Sequence, residues 1–478
     1  NMKNIGIDAI AYSVPVHQLP ISALAEARGI AYGKLNVGLG LEAMAVCAPE
    51  ETVDRLAADA VVKLIQQNNL DPTAVGKIYL GTESAIDGAK PTITYALDHI
   101  ERSLGVEGDN VFQHTDVVDM TFACIAAFDA MLLCADWIRS APGTGRMAIV
   151  VGADIAKYDL CSSGEYTQGA GAVAVLLRED PRILVLGETV GIGMKSELDF
   201  YKPLRVFDKL QALKDAASLL GVAVSEYELQ AKIAEAEAHR ASNIAQNPTQ
   251  LNVDADQTLW SIPGKSLKVN RTEPVFDGYF SNECYRARLE EAIAHYAQQV
   301  DGWRVSDWQT WIFHQPYAFQ GRRMSVRFWM DAVLRPLMES GQEIDFASMG
   351  LQAIEGKEWS VIWGDADLEK IVAKCVAYRD FVAMTIAPGE RASALLGNLY
   401  TGSVMMSLCS VLADAHERGL NLAGQRAGFF AYGSGSKGKV LEGRFVSGCE
   451  KSVAAVGLFG DLASRKVIDF ETYVRWHA

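Results

Sequence analysis

The feature that most constrains the fold is a set of fully apolar strand segments that alternate with helical segments. The runs Met147–Gly152 and Ala172–Leu177 are continuous and rich in β-branched residues, which is typical of strands covered on both faces. Between a shorter strand segment, Lys77–Gly81, and these runs lies Ala123–Ile138, which is apolar almost all round and therefore predicts a buried helix. This alternation predicts an α/β fold built in layers.

The second half of the chain has a similar order of elements. A helical segment, Ser281–Gln299, precedes the strand segment Trp308–Phe313, and a further strand segment, Ala427–Tyr432, follows later. We therefore predict two similar α/β halves, residues 1–205 and residues 273–478, with reactive groups at the ends of strands.

The residues between these halves, 206–272, differ in character. Lys209–Gln246 is rich in Ala, Glu and Lys and predicts helix, and a polar stretch with Asn247-Pro248 and Pro263-Gly264 follows it. We interpret 206–272 as a mostly helical insertion. A solvated helical hairpin is the simpler interpretation, and a surface that binds a partner or gates the substrate is the alternative.

The charge of the chain argues against two classes of partner. The 59 acidic residues exceed the 44 basic ones, which gives a net charge of −15. Such a balance disfavours nucleic acid and anionic membranes as main partners. No stretch reaches the roughly 18 unbroken apolar residues that a membrane span needs. We therefore expect no nucleic-acid partner and no membrane partner.

The eight cysteines are scattered, and none forms a Cys-x-x-Cys pair. This spacing disfavours a zinc knuckle and a thioredoxin-type redox site, so we expect neither a metal nor a redox cofactor. Scattered cysteines in a chain of this size are typical of reduced thiols in the cytoplasm. Most of them should be small core residues, which leaves room for one with a chemical role.

Individual candidates are ambiguous when each is taken alone. Cys124 lies at the beginning of the predicted buried helix, where backbone N–H groups can lower the pKa of a thiol and hold an oxyanion. It can equally be an inert core cysteine. Glu83 can be a capping carboxylate, His314 a buried histidine at a strand end, and Gly433-Ser434-Gly435 a simple turn.

Taken in order, the segments resemble the hydroxymethylglutaryl-CoA synthase family of the thiolase superfamily. The Gly152–Tyr158 and Thr167–Ala174 segments are particularly similar to the bacterial branch. The match runs along most of the chain and rests on these segments: Gly81-Thr82-Glu83-Ser84, Ala123-Cys124, Gly152–Tyr158, Thr167–Ala174, Asp199-Phe200-Tyr201-Lys202-Pro203, Phe313-His314-Gln315-Pro316-Tyr317, Gly397–Ser403 and Tyr432–Ser436.

The resemblance implies a thiolase-like layered fold, a homodimer and an acyltransferase without a cofactor, whose substrates are acetyl-CoA and acetoacetyl-CoA. Cys124 would take the acetyl group from acetyl-CoA, and Glu83 would remove a proton from the acetyl methyl group. The resulting enolate would attack the ketone carbon of acetoacetyl-CoA, with His314 polarising the ketone oxygen. Water would then release the product. The overall reaction would be a step of the mevalonate pathway of isoprenoid biosynthesis.

The resemblance also assigns binding residues. The substrate-binding candidates are Asn398, Ser434, Tyr158, Thr167, Tyr317 and Gly433. The candidates for contact with the CoA phosphates are Lys202, Arg322 and Arg323. For the tyrosines, Thr167 and Ser434, a structural role is about as compatible with the sequence.

Two departures from the family pattern leave questions open. Cys124 is followed by Ile125-Ala126-Ala127-Phe128 where the family has an aromatic residue, two small residues and a threonine. Because the aromatic residue and the hydroxyl are missing, the selectivity for the acyl group is unassigned. Phe319 replaces a lysine that often contacts the CoA phosphates. The acceptor is therefore carried either on CoA or on an acyl carrier protein, since both present the same phosphopantetheine arm.

Three alternatives accompany the main hypothesis. The first is a β-branching synthase that acts on a polyketide intermediate bound to a carrier protein, with the same Cys, Glu and His. The second is a decarboxylating ketoacyl synthase, which would lack the glutamate. The third is a homologue without activity that binds acyl thioesters or a partner, and the presence of Cys124, Glu83, His314 and Asn398 argues against it.

Overall fold

The computed structural model describes residues 4–246 and 258–477. The chain forms two compact units. The larger unit combines the residues up to Phe200 with those from Phe276 onward, and the smaller unit is Tyr201–Val275. The chain passes from one to the other within two short strands, Phe200–Tyr201 and Val275–Phe276.

A nine-stranded mixed sheet forms the centre of the larger unit. Pairing is parallel at the two ends of the sheet and antiparallel between them. The sheet confirms the predicted α/β class. The strand order is Thr310–Phe313, Arg426–Gly433, Lys437–Phe445, Leu184–Met194, Ile5–Ser13, Ala170–Glu179, Ala148–Ile155, Lys77–Gly81 and Asp116–Met120.

Helices cover both faces of this sheet, which explains why its central strands are apolar throughout. Within Ala170–Glu179, the side chains of Val173, Val175 and Leu177 enter one core, and the alternate residues enter the other. The helices Ala126–Arg139 and Ser403–Arg418 pack in the first core. The helices Val53–Gln67 and Thr92–Leu104 pack in the second. Alternation of side chains across a strand therefore serves two hydrophobic layers.

A third, aromatic core lies under the helix Gly278–Gln299 and contains Trp303, Trp308 and Trp311. A small three-stranded sheet is formed by His17–Pro20, Ala43–Val46 and Lys466–Val467. The other helices of this unit are Ile21–Arg28, Tyr32–Leu39, Gln320–Met324, Val326–Trp329, Arg335–Glu339, Phe346–Met349, Trp359–Trp363, Ala366–Lys374, Val376–Thr385, Arg391–Leu396, Leu458–Ala463 and Phe470–His477.

The smaller unit contains the helices Lys209–Leu219 and Glu226–Gln246 beside a two-stranded sheet, Arg205–Asp208 with Ser266–Val269. Its Lys209 is buried, and the ammonium group donates hydrogen bonds to Glu237 Oε1 and the Ile262 carbonyl, each at 2.8 Å. Such pairing is what a buried charge requires.

The observed unit, Tyr201–Val275, is slightly longer than the predicted insertion 206–272. Its Asn247-Pro248 segment lies outside the described residues. The remaining residues on either side form one unit, so the two similar halves stay a prediction.

The structure corrects the position of one helix. The buried helix begins at Ala126 and not at Ala123. Ala123 has φ = 42°, which lies in the left-handed region and cannot continue into a right-handed helix. Cys124 therefore precedes the helix, on the turn that connects it to the strand Asp116–Met120.

Candidate active site

A cavity of about 500 Å³ in the larger unit brings together most of the predicted site residues. Aromatic side chains form much of its wall. The predicted residues that line it are Cys124, Tyr158, Thr167, His314, Tyr317, Arg323, Asn398 and Ser434. Glu83 belongs to the same site, because its Oε2 lies 3.4 Å from the Cys124 thiol.

The turn at Cys124 is backbone-strained and closely packed. An alanine in the left-handed region costs roughly 1–2 kcal/mol, and here the turn that Ala123 makes presents the thiol to the cavity. A Cβ on Gly433 would lie 2.5 Å from the Phe122 carbonyl oxygen. Only glycine at 433 therefore allows the segment with Ser434 to lie against the Cys124 turn.

Glu83 is held by a buried carboxylate on a neighbouring strand. Asp154 is fully buried at the end of Ala148–Ile155, and its Oδ1 accepts hydrogen bonds from the Glu83 N–H at 2.8 Å, the Thr82 hydroxyl and the Ser84 hydroxyl. Its Oδ2 accepts from the Thr401 N–H at 3.0 Å and the Thr401 hydroxyl at 2.6 Å. Asp154 thus connects the segment that carries Glu83 to the segment that follows Asn398.

Asn398 follows a glycine at which two chain segments approach each other closely. Gly397 has φ = 81°, and a Cβ there would lie 2.0 Å from the Gln168 carbonyl oxygen. The Asn398 N–H donates to the Thr167 carbonyl at 2.9 Å, and Asn398 Oδ1 accepts from the Tyr400 N–H at 2.8 Å. Because Oδ1 is engaged by the backbone, the side-chain amide offers its NH₂ donor to a ligand.

His314 follows the strand Thr310–Phe313 and is buried. Its ring stacks on Tyr285 at a centroid distance of 5.8 Å, and the Tyr285 hydroxyl donates to the His314 carbonyl at 2.6 Å. Burial lowers the pKa of His314 to about 3, so its imidazole is neutral near pH 7. Its Nδ1 makes no hydrogen bond within residues 4–246 and 258–477. A neutral ring of this kind offers one donor and one acceptor.

A second buried aspartate fixes the segment around Ser434. Asp199 accepts hydrogen bonds from the Tyr432 hydroxyl at 2.6 Å, the Gly435 N–H at 2.8 Å and the Ser281 hydroxyl at 3.1 Å. Tyr432 stacks on Tyr285, the residue that also stacks on His314. Asp199 therefore stabilises the wall that carries both Ser434 and His314.

The wall at Tyr158 is connected to the last helix by buried polar groups. Gln168 Oε1 accepts from the Tyr158 N–H at 2.8 Å, and Gln168 Nε2 donates to the Tyr473 hydroxyl at 2.7 Å. Tyr473 in turn donates to Glu165 at 3.0 Å, and Glu165 makes a bidentate pair with Arg28. The helix Phe470–His477 thus supports one side of the cavity.

Sequence reasoning missed these supporting residues, Asp154, Asp199, Glu165 and Gln168. The signal was present for Asp154, since a carboxylate inside an otherwise apolar strand segment requires partners when it is buried. Only the fold shows which chain segments the carboxylates of Asp154 and Asp199 join.

The three candidates for phosphate contact occupy different places. Arg323 lines the cavity, with its guanidinium 5.9 Å from the Tyr317 ring centroid. Arg322 lines a different cavity, where it forms an ion pair with Glu390 and lies 3.7 Å over the Phe319 ring. Lys202 belongs to the smaller unit.

Three of the other cysteines, Cys134, Cys409 and Cys449, lie in the hydrophobic core and do not line the cavity. Burial raises the pKa of Cys134, Cys409 and Cys449 to about 12, so these thiols stay protonated and unreactive. Within the described ranges, no group of three His, Cys, Asp or Glu side chains could hold a metal ion. None of the helices in these same ranges has the length and the apolar character that a membrane span requires.

Comparisons with known proteins identify the family of the chain. Family models described as the N-terminal and C-terminal parts of hydroxymethylglutaryl-coenzyme A synthase match residues 1–181 and 268–476. A hydroxymethylglutaryl-CoA synthase of Haloferax volcanii is 28% identical over 100% of this chain and 92% of its own length. The cytoplasmic hydroxymethylglutaryl-CoA synthase of Pongo abelii is 27% identical over 91% of this chain and 70% of its own length.

A solved structure shows the fold. MvaS in complex with 3-hydroxy-3-methylglutaryl coenzyme A has a TM-score of 0.72 at 24% identity and covers 99% of this chain and 91% of its own. The likeness confirms the predicted thiolase-like fold.

Asp154 is expected to be essential for holding the Glu83 segment. In Asp154→Asn, one of the two oxygens becomes an NH₂ group that faces donors, so buried N–H and O–H groups lose their acceptor. We expect the free energy of unfolding to fall by about 2–4 kcal/mol in urea denaturation. The matched control Asp98→Asn, at an exposed position of the helix Thr92–Leu104, should change it by less than about 0.5 kcal/mol. Equal stability of the two variants would contradict the role given to Asp154.

His314 should make the protein less stable in acid. Its pKa is about 3 in the folded chain, against an ordinary value near 6.5, so the unfolded chain takes up the proton first as the pH falls. The stabilisation is fully present above pH 6.5 and is lost between pH 6.5 and 3, at up to about 1.4 kcal/mol per pH unit. Urea denaturation across this range should show a shallower pH dependence for His314→Gln than for wild type. The exposed control His114→Gln should retain the wild-type slope.

Proposed function

The chain belongs to the hydroxymethylglutaryl-coenzyme A synthase family, and we propose that Cys124, Glu83 and His314 are the groups with which it performs the family reaction. It is an acyltransferase that condenses an acetyl group with acetoacetyl-CoA. The observation that carries the residue assignment is the 3.4 Å approach of the Cys124 thiol to the Glu83 carboxylate beside His314 and Asn398.

Loading comes first. Cys124 reacts as the thiolate and attacks the carbonyl carbon of acetyl-CoA, which forms a C–S bond to the enzyme. The bond to the CoA sulfur breaks, and CoA takes up the proton that the Cys124 thiol gave up. Backbone N–H groups at Cys124 and near Ser434 stabilise the negative oxygen of the tetrahedral intermediate. The glycine at 433 supports this assignment, because it brings the two segments into contact.

Condensation needs a base beside the sulfur. The acetyl methyl group is two bonds from Cys124 Sγ, so a carboxylate 3.4 Å from that sulfur lies within reach of a methyl proton. Glu83 removes this proton, and the resulting enolate attacks the ketone carbon of the acceptor. The ketone oxygen becomes an alkoxide, and it needs one proton, which Glu83 holds after the first transfer. Water then hydrolyses the thioester at Cys124 and frees the product.

The acceptor is oriented by neutral donors. His314 is uncharged, so it donates a hydrogen bond to the ketone oxygen as negative charge develops there, and Asn398 donates from its NH₂ group. Tyr158, Thr167 and Tyr317 shape the surrounding wall.

Arg323 is the candidate for a phosphate of the arriving thioester, since its guanidinium lies at the cavity. CoA and an acyl carrier protein present the same phosphopantetheine arm, so this wall serves either form of the acceptor. Arg322 lines a different cavity and Lys202 belongs to the smaller unit, so the role of both in phosphate binding remains a prediction.

The cellular setting is part of the same proposal. All eight cysteines are free thiols, which supports a reducing compartment and therefore the cytoplasm. The reaction supplies a precursor of the mevalonate pathway.

A homodimer is supported by the strand Asp116–Met120, which ends the nine-stranded sheet and leaves an edge for pairing with a second copy.

Replacing Cys124 by Ser should abolish formation of the acetyl-enzyme, because a hydroxyl is far less ionised than a thiol. After incubation with acetyl-CoA, intact-protein mass spectrometry should show the adduct on wild type and none on Cys124→Ser, with turnover lowered by at least about 10³-fold. Cys161→Ser removes an exposed thiol and should behave as wild type. An acetyl adduct that persists on Cys124→Ser would refute the assignment of the nucleophile.

Replacing Glu83 by Gln should separate loading from condensation. The amide keeps the shape of the side chain but cannot accept the methyl proton, so Cys124 should still be acetylated while product formation falls by about 10²–10⁴-fold. Mass spectrometry follows loading, and chromatography of the products follows condensation. The control Glu50→Gln, at an exposed position, should affect neither. Loss of both steps together would indicate a folding role for Glu83.

A further inference from the structure

The selectivity for the acyl group has no assigned residues, and the segment that follows the nucleophile does not supply them. Ile125, Ala126 and Ala127 are buried to 1% exposure or less. None of the three lines the cavity, and the side chains of Ile125 and Ala127 belong to the core of the larger unit. A longer acyl group on Cys124 would therefore meet other residues first.

Those residues are aromatic. Four rings, which we call the aromatic cluster, pack around Cys124 and Ala156 and are separate from the other hydrophobic cores: Tyr158, Phe200, Phe276 and Tyr400. All four line the cavity. Their ring centroids are 5.0 Å apart for Tyr158 and Phe276, 5.9 Å for Phe200 and Tyr400, and 6.4 Å for Phe200 and Phe276.

The two tyrosines of the cluster form its fixed side. Tyr158 is anchored through its backbone to Gln168, and Tyr400 through its backbone to Asn398. Both rings are buried, and Tyr400 is fully so. The two phenylalanines are only half-buried, and both line the cavity together with the tyrosines.

We propose that Phe200 and Phe276 restrict the acyl group on Cys124 to two carbons. The inference rests on the proposed function, because it assumes that Cys124 carries the acyl group. Rings in edge contact at 5.0–6.4 Å leave no room between them for a hydrocarbon chain, so each added methylene must displace a ring. One methylene that must fit against a hydrophobic wall changes selectivity by about 10–200-fold.

The aromatic cluster adds no charged group to the wall around the acyl group. Its rings are hydrocarbon apart from two tyrosine hydroxyls, whereas the carboxylate of Glu83, which is not part of the cluster, lies 3.4 Å from the Cys124 thiol. Burial raises the pKa of Tyr158 further above its ordinary value, so this hydroxyl stays neutral and places no charge beside the thioester.

The test compares loading of acetyl-, propionyl- and butyryl-CoA onto Cys124 by time-resolved intact-protein mass spectrometry. Wild type should load acetyl at least 10-fold faster than butyryl. Phe276→Ala and Phe200→Ala should raise the butyryl-to-acetyl ratio of rate constants by about 10-fold or more, with acetyl loading changed less. The control Phe280→Ala, which removes a neighbouring ring that does not line the cavity, should keep the wild-type ratio.

Each outcome decides the inference. Acetyl loading with an unchanged ratio in both alanine variants, or equal loading of butyryl and acetyl by wild type, would overturn it while leaving the proposed function intact. Failure of wild type to be labelled on Cys124 by any of the three thioesters would overturn the proposed function itself. If an alanine variant does not fold, as judged by circular dichroism, Phe276→Leu and Phe200→Leu take its place, and the same ratio is measured.

Discussion

The buried carboxylate of Asp154 is the constraint on which the site depends. Glu83 and Asn398 come from positions more than 300 residues apart, and Asp154 binds the backbone at Glu83 and at Thr401 with its two oxygens. A carboxylate removed from water is stable only when several donors replace its hydration. The donors that this buried carboxylate requires therefore fix the distance between the segment of Glu83 and the segment that follows Asn398, and Asp199 does the same for the segment around Ser434.

The same burial sets the chemistry of the histidine. Because the site excludes water from His314, the imidazole is neutral and its hydrogen bonds act in a medium of low dielectric constant. In the proposed condensation, a neutral donor of this kind strengthens its hydrogen bond as charge develops on the ketone oxygen. Stacking on Tyr285 holds the ring without adding a charge.

Apolar runs in the sequence predicted the layered α/β fold, and short motifs that resemble the family predicted the thiolase-like fold and eight of the residues that line the cavity. It placed the helix three residues early, since the left-handed conformation of Ala123 is imposed by the turn and not by the residue type. It grouped Arg322 with Arg323, although adjacent residues on a helix point in different directions and only Arg323 faces the cavity. Asp154 and Asp199 act through contacts between distant segments, which no local pattern reveals.

The position of the aromatic cluster accounts for the departure of this chain from its family beside the nucleophile. Ile125 is fully buried in the core and Ala127 packs against the strand that ends at Gly81, where a Cβ would lie 2.2 Å from the Ala127 nitrogen. Positions 126 and 127 therefore require small side chains, and alanine satisfies this requirement. Residue 125 faces away from the cavity, so an aromatic residue there can be exchanged for isoleucine without removing any surface that a substrate touches.

The wall that the acyl group meets is formed by Phe200 and Phe276, which are distant in sequence from Cys124. The residues that determine the size of the acyl group are thus different from the residues of the turn that presents the thiol.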